Sequence, residues 1–315
     1  GSTLAPGGCA LDESPHLEKC AYPIGDSRKR RRFPCQHKDS RSVRRERLRP
    51  VTQRNYLFAT GADDVALTRL IATAAKVTGF LRGAPGGPLP GWYRAGDGNK
   101  DFIQTMHQRV LQTYPKAGAV YATTRSWNNL TWQPVYLAVI AVHVHGALPE
   151  LSGMSQSRQN LDVDGFRLPS GPQFEGSVEE MIERAGKELR AMADVMLAEL
   201  NAVAKLRQVP ANRLLADWIS NLMIRLGHYQ PELTIEERMG YAELWLKAMG
   251  LEGLADLDVL TLDGGRRVLI RKRKGCCLDY LIMPDHYCIS CPKQDDGARI
   301  RRQRNAAIAE GETAG

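Results

Sequence analysis

A mostly helical α+β fold, in which a helical body is followed by a C-terminal β-hairpin and a cysteine loop, follows from three features of the sequence. Apolar residues recur at helical spacing through most of the stretch from Asp63 to Met249. The pattern then changes to strand-like segments on either side of Asp263-Gly264-Gly265, a strong hairpin-turn signal. Directly after the second segment, Cys276, Cys277, Cys288 and Cys291 form a C-C-x10-C-x2-C pattern followed by Pro292. Four regions result: a basic, disordered arm at 1–50, the helical body at 51–253, the hairpin and cysteine module at 254–298, and an Arg-rich disordered tail at 299–315.

The arm combines Pro, Gly, Ser and many Arg with few large apolar groups, so it cannot bury enough surface to offset the entropy of ordering. Cys9, Cys20 and Cys35, with His16 and His37, are irregularly spaced and lack a C-x2-C turn, so free thiols are expected there rather than a zinc site. Ser27 to Phe33 carries the arginines of a twin-arginine export signal, but charge rather than an apolar stretch follows, and export is not expected. The longest apolar stretch, Val135 to Val144, is too short to cross a bilayer, so no membrane span is expected. Seven cysteines in a chain of 315 residues, which is long enough to fold without disulfides, fit a reducing, cytoplasmic setting.

In the body, Val65, Leu67, Leu70, Ile71, Ala74 and Val77 form a helical stripe ending at Gly79. Gly83 to Gly91 reads as a loop, and lacks the G-x-G-x-x-G that would bind a dinucleotide. Helices are expected over Asp101 to Thr113 and Gly118 to Leu130, with Pro134 as an interruption and Val135 to Val144 as a buried helix or strand. His143 and His145 read as packed or surface histidines, and Leu161 to Leu168 as a short strand or turn. Ser177 with Glu180, and Thr234 with Glu237, are capping boxes that open two helices. Between those two, Pro210 begins a helix with Leu214, Leu215, Trp218, Ile219, Leu222 and Leu226 on its core face. The Met and aromatic stripes read as packing surfaces.

The net charge of +8 is concentrated at 28–49, 266–274 and 299–304, which describes tails and one local patch rather than a basic domain. On a strand, Arg267, Arg271 and Arg273 would share one face, with Lys272 and Lys274 on the other. Such a face could steer an anionic ligand or an acidic donor, offset negative charge on a metal cluster, or simply protect an edge strand. Arg271 and Arg273 are the candidate substrate-binding residues.

Four thiolates can hold a structural zinc ion or an iron–sulfur cluster. Zinc generally takes two C-x2-4-C pairs, whereas Cys276 and Cys277 are adjacent and diverge in extended backbone. A [2Fe-2S] cluster accepts more widely spread thiolates, so all four cysteines are its expected ligands. His286 is not needed as a ligand, and Asp279 and Asp285 are expected to be exposed.

Arg273, the adjacent Cys276 and Cys277, Leu278 with Tyr280, and the closing Cys288-Ile289-Ser290-Cys291-Pro292 resemble the C-terminal signature of the FhuF-type ferric-siderophore reductases. The resemblance is confined to Arg273 through Pro292. It implies an oxidoreductase that passes one electron from a [2Fe-2S] cluster to an Fe(III)-siderophore and releases Fe(II). The body would form the substrate cleft, and a ferredoxin or flavin-dependent reductase would be the separate electron donor. Two alternatives stand beside it: a four-cysteine zinc protein that binds nucleic acid, and an iron–sulfur electron-transfer or sensor protein with no siderophore substrate. Against nucleic acid as a partner stand the adjacent cysteines and the few aromatic residues among the basic runs.

Overall fold

The computed structural model describes residues 61–313, with 160 and 285 excepted. The arm at 1–50, with its Cys9, Cys20, Cys35, His16 and His37, and Asp285 lie outside the described residues. Helix α1 (Ala62–Thr78) closes on Gly79, whose left-handed backbone lets its N–H reach the Ala75 carbonyl. Helices α2 (Lys100–Thr113) and α3 (Gly118–Ile140) follow, and most of α3 is buried from Tyr121 onward.

The expectation that Pro134 interrupts α3 is corrected, because the helix runs straight through it. An interior proline costs roughly 3 kcal/mol. Val135, Leu137, Val139 and Ile140 are buried around it, and each contributes about 1.5–3 kcal/mol, so burial outweighs the missing hydrogen bond. The chain then widens into a π-helical turn, Ala141–His145, before Gly146 ends it.

Both capping boxes form. Ser177 opens α4 (Val178–Asn201) and Thr234 opens α6 (Ile235–Ala248), each hydroxyl accepting from the N–H three residues on. Helix α5 (Gln208–Tyr229) lies between them in sequence and packs on both α3 and α6. Together these helices enclose one large core centred on Trp127, Tyr136 and Trp245.

The body is not purely helical. Strands β1 (Gly83–Pro85), β2 (Tyr93–Arg94), β3 (Ser155–Gln159) and β4 (Asp162–Leu168) form a sheet in the order β1-β4-β3-β2. The Gly83–Gly91 loop expectation is therefore corrected at its start. β1 pairs parallel with β4, and Gly83 is required there because the Phe166 ring lies 2.2 Å from where a Cβ would sit. Pro85 is tolerated because β1 is an edge strand.

The expected hairpin forms from β5 (Asp256–Thr261) and β6 (Arg267–Lys272), joined through Gly264 and Gly265 at positive φ. The expected disordered tail at 299–315 is corrected over its described part by helix α7 (Asp296–Thr313). The Asp295 carboxylate accepts from Ala298 N–H at 2.8 Å and caps its first turn. The Gln303 side chain accepts from Arg271 N–H at 2.8 Å and donates to Arg271 C=O at 3.2 Å, tying α7 to β6. Polar pairing therefore orders a segment whose composition is too charged to suggest burial. Among the described residues, no helix is long and apolar enough to cross a membrane.

Candidate cysteine site

Strand β6 delivers the chain into the site, and two sides of the body hold it. On one side Arg273 and Gly275 approach α5. The Asp217 carboxylate accepts from Arg273 Nε at 3.2 Å and from Gly275 N–H at 3.0 Å. A Cβ on Gly275 would lie 2.5 Å from Asp217 Oδ2 and 3.0 Å from the Arg213 backbone, so only glycine permits this approach. On the other side Leu278 and Ile282 pack on a small second core of Val110, Ala117, Tyr121 and Ala122. Among the described residues Leu278 is the only non-glycine with positive φ, at 65°. That left-handed turn costs about 1–2 kcal/mol, which burial of the leucine side chain against α2 and α3 offsets.

Three of the four sulfurs are linked pairwise through Cys291. Cys276 hydrogen-bonds Cys291, and Cys291 also bonds Cys288. Each of the three has an N–H donor: Leu278 N–H for Cys276, Lys293 N–H for Cys291, and Arg273 Nη1 for Cys288 at 3.3 Å. The contact with Cys291 holds the Cys276 thiol below its ordinary pKa, with the Leu278 N–H and the Arg273 charge acting in the same direction. The same contact pushes Cys291 upward. Cys288 and Cys291 are joined by a tight turn in which Cys291 N–H donates to Cys288 C=O at 3.0 Å. The Ser290 hydroxyl inside that turn is fully buried without a hydrogen-bond partner.

Cys277 points the other way, as expected for adjacent side chains, and hydrogen-bonds Asp279. Asp279 is 8 % exposed, so the expectation of exposure is corrected: the Leu278 turn folds it inward toward Arg125 and Tyr121. Burial, reinforced by Cys277, pushes its carboxyl up to about 7 against the pull of Arg125. The sulfurs form a pairwise chain through Cys291 rather than a closed set, and Cys277 pairs with Asp279, so no group of three or more His, Cys, Asp or Glu among the described residues is set to hold a metal ion.

The donor set nevertheless fits a thiolate-ligated cluster in two respects. Three linked sulfurs each carry an N–H donor, as sulfurs that bear negative charge require. The orphaned Ser290 hydroxyl lies between two of the thiols, and a buried polar atom of this kind calls for a partner. Cys276 and Cys288 are partly exposed while Cys277 and Cys291 are buried, so the site has an open edge and a closed one.

Strand alternation places Arg271 and Arg273 inward, each 8 % exposed, and leaves Lys272 and Lys274 outward. Arg267 pairs with Glu236, Lys272 with Asp258, Arg273 with Asp217, and Lys274 with Asp256. Arg271 and Arg273 thus face the protein, whereas Arg267, expected on the same face, is exposed, and hairpin and helix carboxylates pair with Arg267, Lys272, Arg273 and Lys274. This pairing also counts against a phosphate-binding surface. The rim around the partly exposed cysteines instead carries Tyr280 and Tyr287, with ring centroids 5.8 Å apart, and the exposed His286.

His143, read as a packed histidine, is buried and accepts from the Trp245 indole at 2.9 Å; His145 pairs with Gln173. A small pocket, partly open to solvent, lies among α1, α3 and α5. Its lining is apolar and includes none of the cysteine-loop residues, so the cleft expected of the body is not brought to the cysteines by this cavity. Sequence reasoning missed Asp217, Gly275 and Gln303. The one available signal was Asp217, a lone acid within the apolar stripe of α5.

Compared with known protein families and with solved structures, the chain matches none.

Proposed function

We propose that this chain is a cytoplasmic ferric-siderophore reductase in which Cys276, Cys277, Cys288 and Cys291 ligate a [2Fe-2S] cluster. The observation that carries the proposal is the chain of contacts from Cys276 through Cys291 to Cys288, each sulfur with an N–H donor, within a segment that resembles the FhuF-type signature. When bound, the cluster supplies a one-electron couple with no open coordination position.

The residues of the chain divide the remaining tasks. Leu278 N–H, Lys293 N–H and the Arg273 guanidinium place positive charge against the sulfurs, which favours a more negative, reduced site. Leu278 and Ile282 cover the inner side and keep water from it. As the fourth ligand, Cys277 would have to exchange its contact with Asp279 for the cluster. The partly exposed edge at Cys276 and Cys288, flanked by Tyr280 and Tyr287, is where an acceptor comes nearest. Arg273 reaches Cys288, and Arg271 and Arg273 are the hairpin residues that would act on the substrate or on the cluster environment.

The acceptor chemistry suits a single electron. Hard oxygen ligands hold Fe(III) tightly and Fe(II) far more weakly, so reduction turns a sequestered ion into a releasable one. The electron would arrive from a ferredoxin or a flavin-dependent reductase, since the chain shows no dinucleotide-binding fingerprint.

The test is anaerobic. Reduced protein is mixed with ferric hydroxamate, catecholate or citrate chelates in the presence of a ferrous-specific chelator. One Fe(II) trapped per electron lost from the protein is expected with at least one chelate class. Reduced protein that persists unchanged with all three overturns the proposal and leaves only the electron-transfer or sensor alternative.

A further inference from the structure

Asp217 occupies a position where an apolar residue would be expected. It lies on the buried face of α5 among Leu214, Leu215, Ile219 and Leu222, and is 4 % exposed. A carboxylate there costs several kcal/mol to desolvate, and burial pushes its pKa up against the pull of Arg273 and Arg271. No residue of α5 compensates it. Its hydrogen-bond partners are Arg273 Nε and Gly275 N–H, both at the end of β6, and its second oxygen is buried without a partner. A pair left incomplete in this way is poor evidence for a stabilising role, since apolar replacement of buried ion pairs is often neutral or favourable.

The geometry assigns a different role. Guanidinium is a rigid planar fork, so fixing Nε on one side of the group fixes the direction of the Nη donors. With Nε held by Asp217, Arg273 Nη1 lies 3.3 Å from Cys288 Sγ. The same Asp217 oxygen holds the amide immediately before Cys276. One carboxylate thus anchors the entry to the cysteine motif directly and Cys288 through Arg273.

We propose that Asp217 is a positioning residue of the cysteine site: it aims the Arg273 guanidinium at Cys288 Sγ and fixes the chain entering Cys276, and in doing so sets how readily the site accepts an electron. This rests on the reading of the four cysteines as cluster ligands. Two consequences separate it from a purely structural role. Asp217→Asn keeps an oxygen for Arg273 Nε and Gly275 N–H but removes the negative charge, so Arg273 acts on Cys288 uncompensated and the reduced state is favoured. Asp217→Glu keeps the charge but is one methylene longer, so it displaces the fork from Cys288 and disfavours the reduced state.

The experiment is a redox titration of the full-length, cluster-loaded chain, followed by visible absorption and by electron paramagnetic resonance of the reduced form. For Asp217→Asn the expected upward shift corresponds to about a tenfold change in the reduction equilibrium, which is about 59 mV for a one-electron couple. A downward shift is expected for Asp217→Glu. In an Arg273→Gln background the effect of Asp217→Asn should largely vanish, because the residue acts through Arg273. Unchanged potentials and spectra in both single variants overturn this inference while leaving the cluster reading in place, as does a shift of Asp217→Asn that persists undiminished in the Arg273→Gln background. Wild-type protein that takes up no iron and sulfide overturns the cluster reading, and this inference with it. If Asp217→Asn does not fold, the Asp217→Glu shift decides alone.

Discussion

His143 shows how far a single buried side chain carries both packing and pH response. It sits at the π-helical turn after α3, where its Nε2 accepts from Trp245 and its ring lies 5.0 Å from Tyr241. Burial lowers its pKa to about 4, while an unfolded histidine titrates near 6.5. Between those values the unfolded chain binds the proton and the folded chain does not, so stability is complete above about pH 6.5 and falls as the pH drops toward 4. From pH 7.5 to pH 5.0 the loss from this residue is about 2 kcal/mol. Urea unfolding of wild type and His143→Gln at the two pH values checks it. The drop should be larger in wild type by about that amount, and equal drops would contradict the assignment. The sequence showed a histidine pair near the end of an apolar run, but the indole that satisfies His143 is 102 residues away in the chain, beyond what local pattern can reveal.

Among the elements, those with a strong internal pattern were legible in the sequence. The stripes of α1, α4 and α5, the two capping boxes and the β5–β6 hairpin each carry their signal within one window of residues. The small sheet was hidden because β1 and β2 are three and two residues long, too short for alternation to register. Helix α7 was hidden for a different reason: its face toward β6 is polar, and its attachment runs through Gln303, Arg302 and Arg304 rather than through apolar burial. Gln303→Ala should therefore remove the two hydrogen bonds that Gln303 makes to the buried Arg271 backbone, at a cost of about 1–3 kcal/mol. Hydrogen exchange at α7 and at Arg271 is expected to accelerate while the core of α3 stays protected. Unchanged exchange at α7 would show that the helix is held by other contacts.

At the scale of the whole molecule, the cysteine loop is clamped between α5, through Asp217, and the small core of α2 and α3, through Leu278 and Ile282. The cysteines of that site were legible as a closely spaced set of four. The clamp was not, because its residues are far from the cysteines in sequence and its key contact uses a buried carboxylate that composition treats as surface. Nor did the pattern of charges reveal that the basic end of β6 is matched by acids of β5, α5 and α6. The arrangement leaves one exposed edge to the site and fixed positive groups behind it, which is compatible with the proposed single-electron role. The central claim is the identity of the bound group. Metal and acid-labile sulfide analysis of anaerobically prepared protein, together with electron paramagnetic resonance after reduction, tests it most directly. The account predicts coloured protein with about two irons and two sulfides per chain and a one-electron paramagnetic signal on reduction; colourless protein with one zinc ion and no sulfide would contradict it.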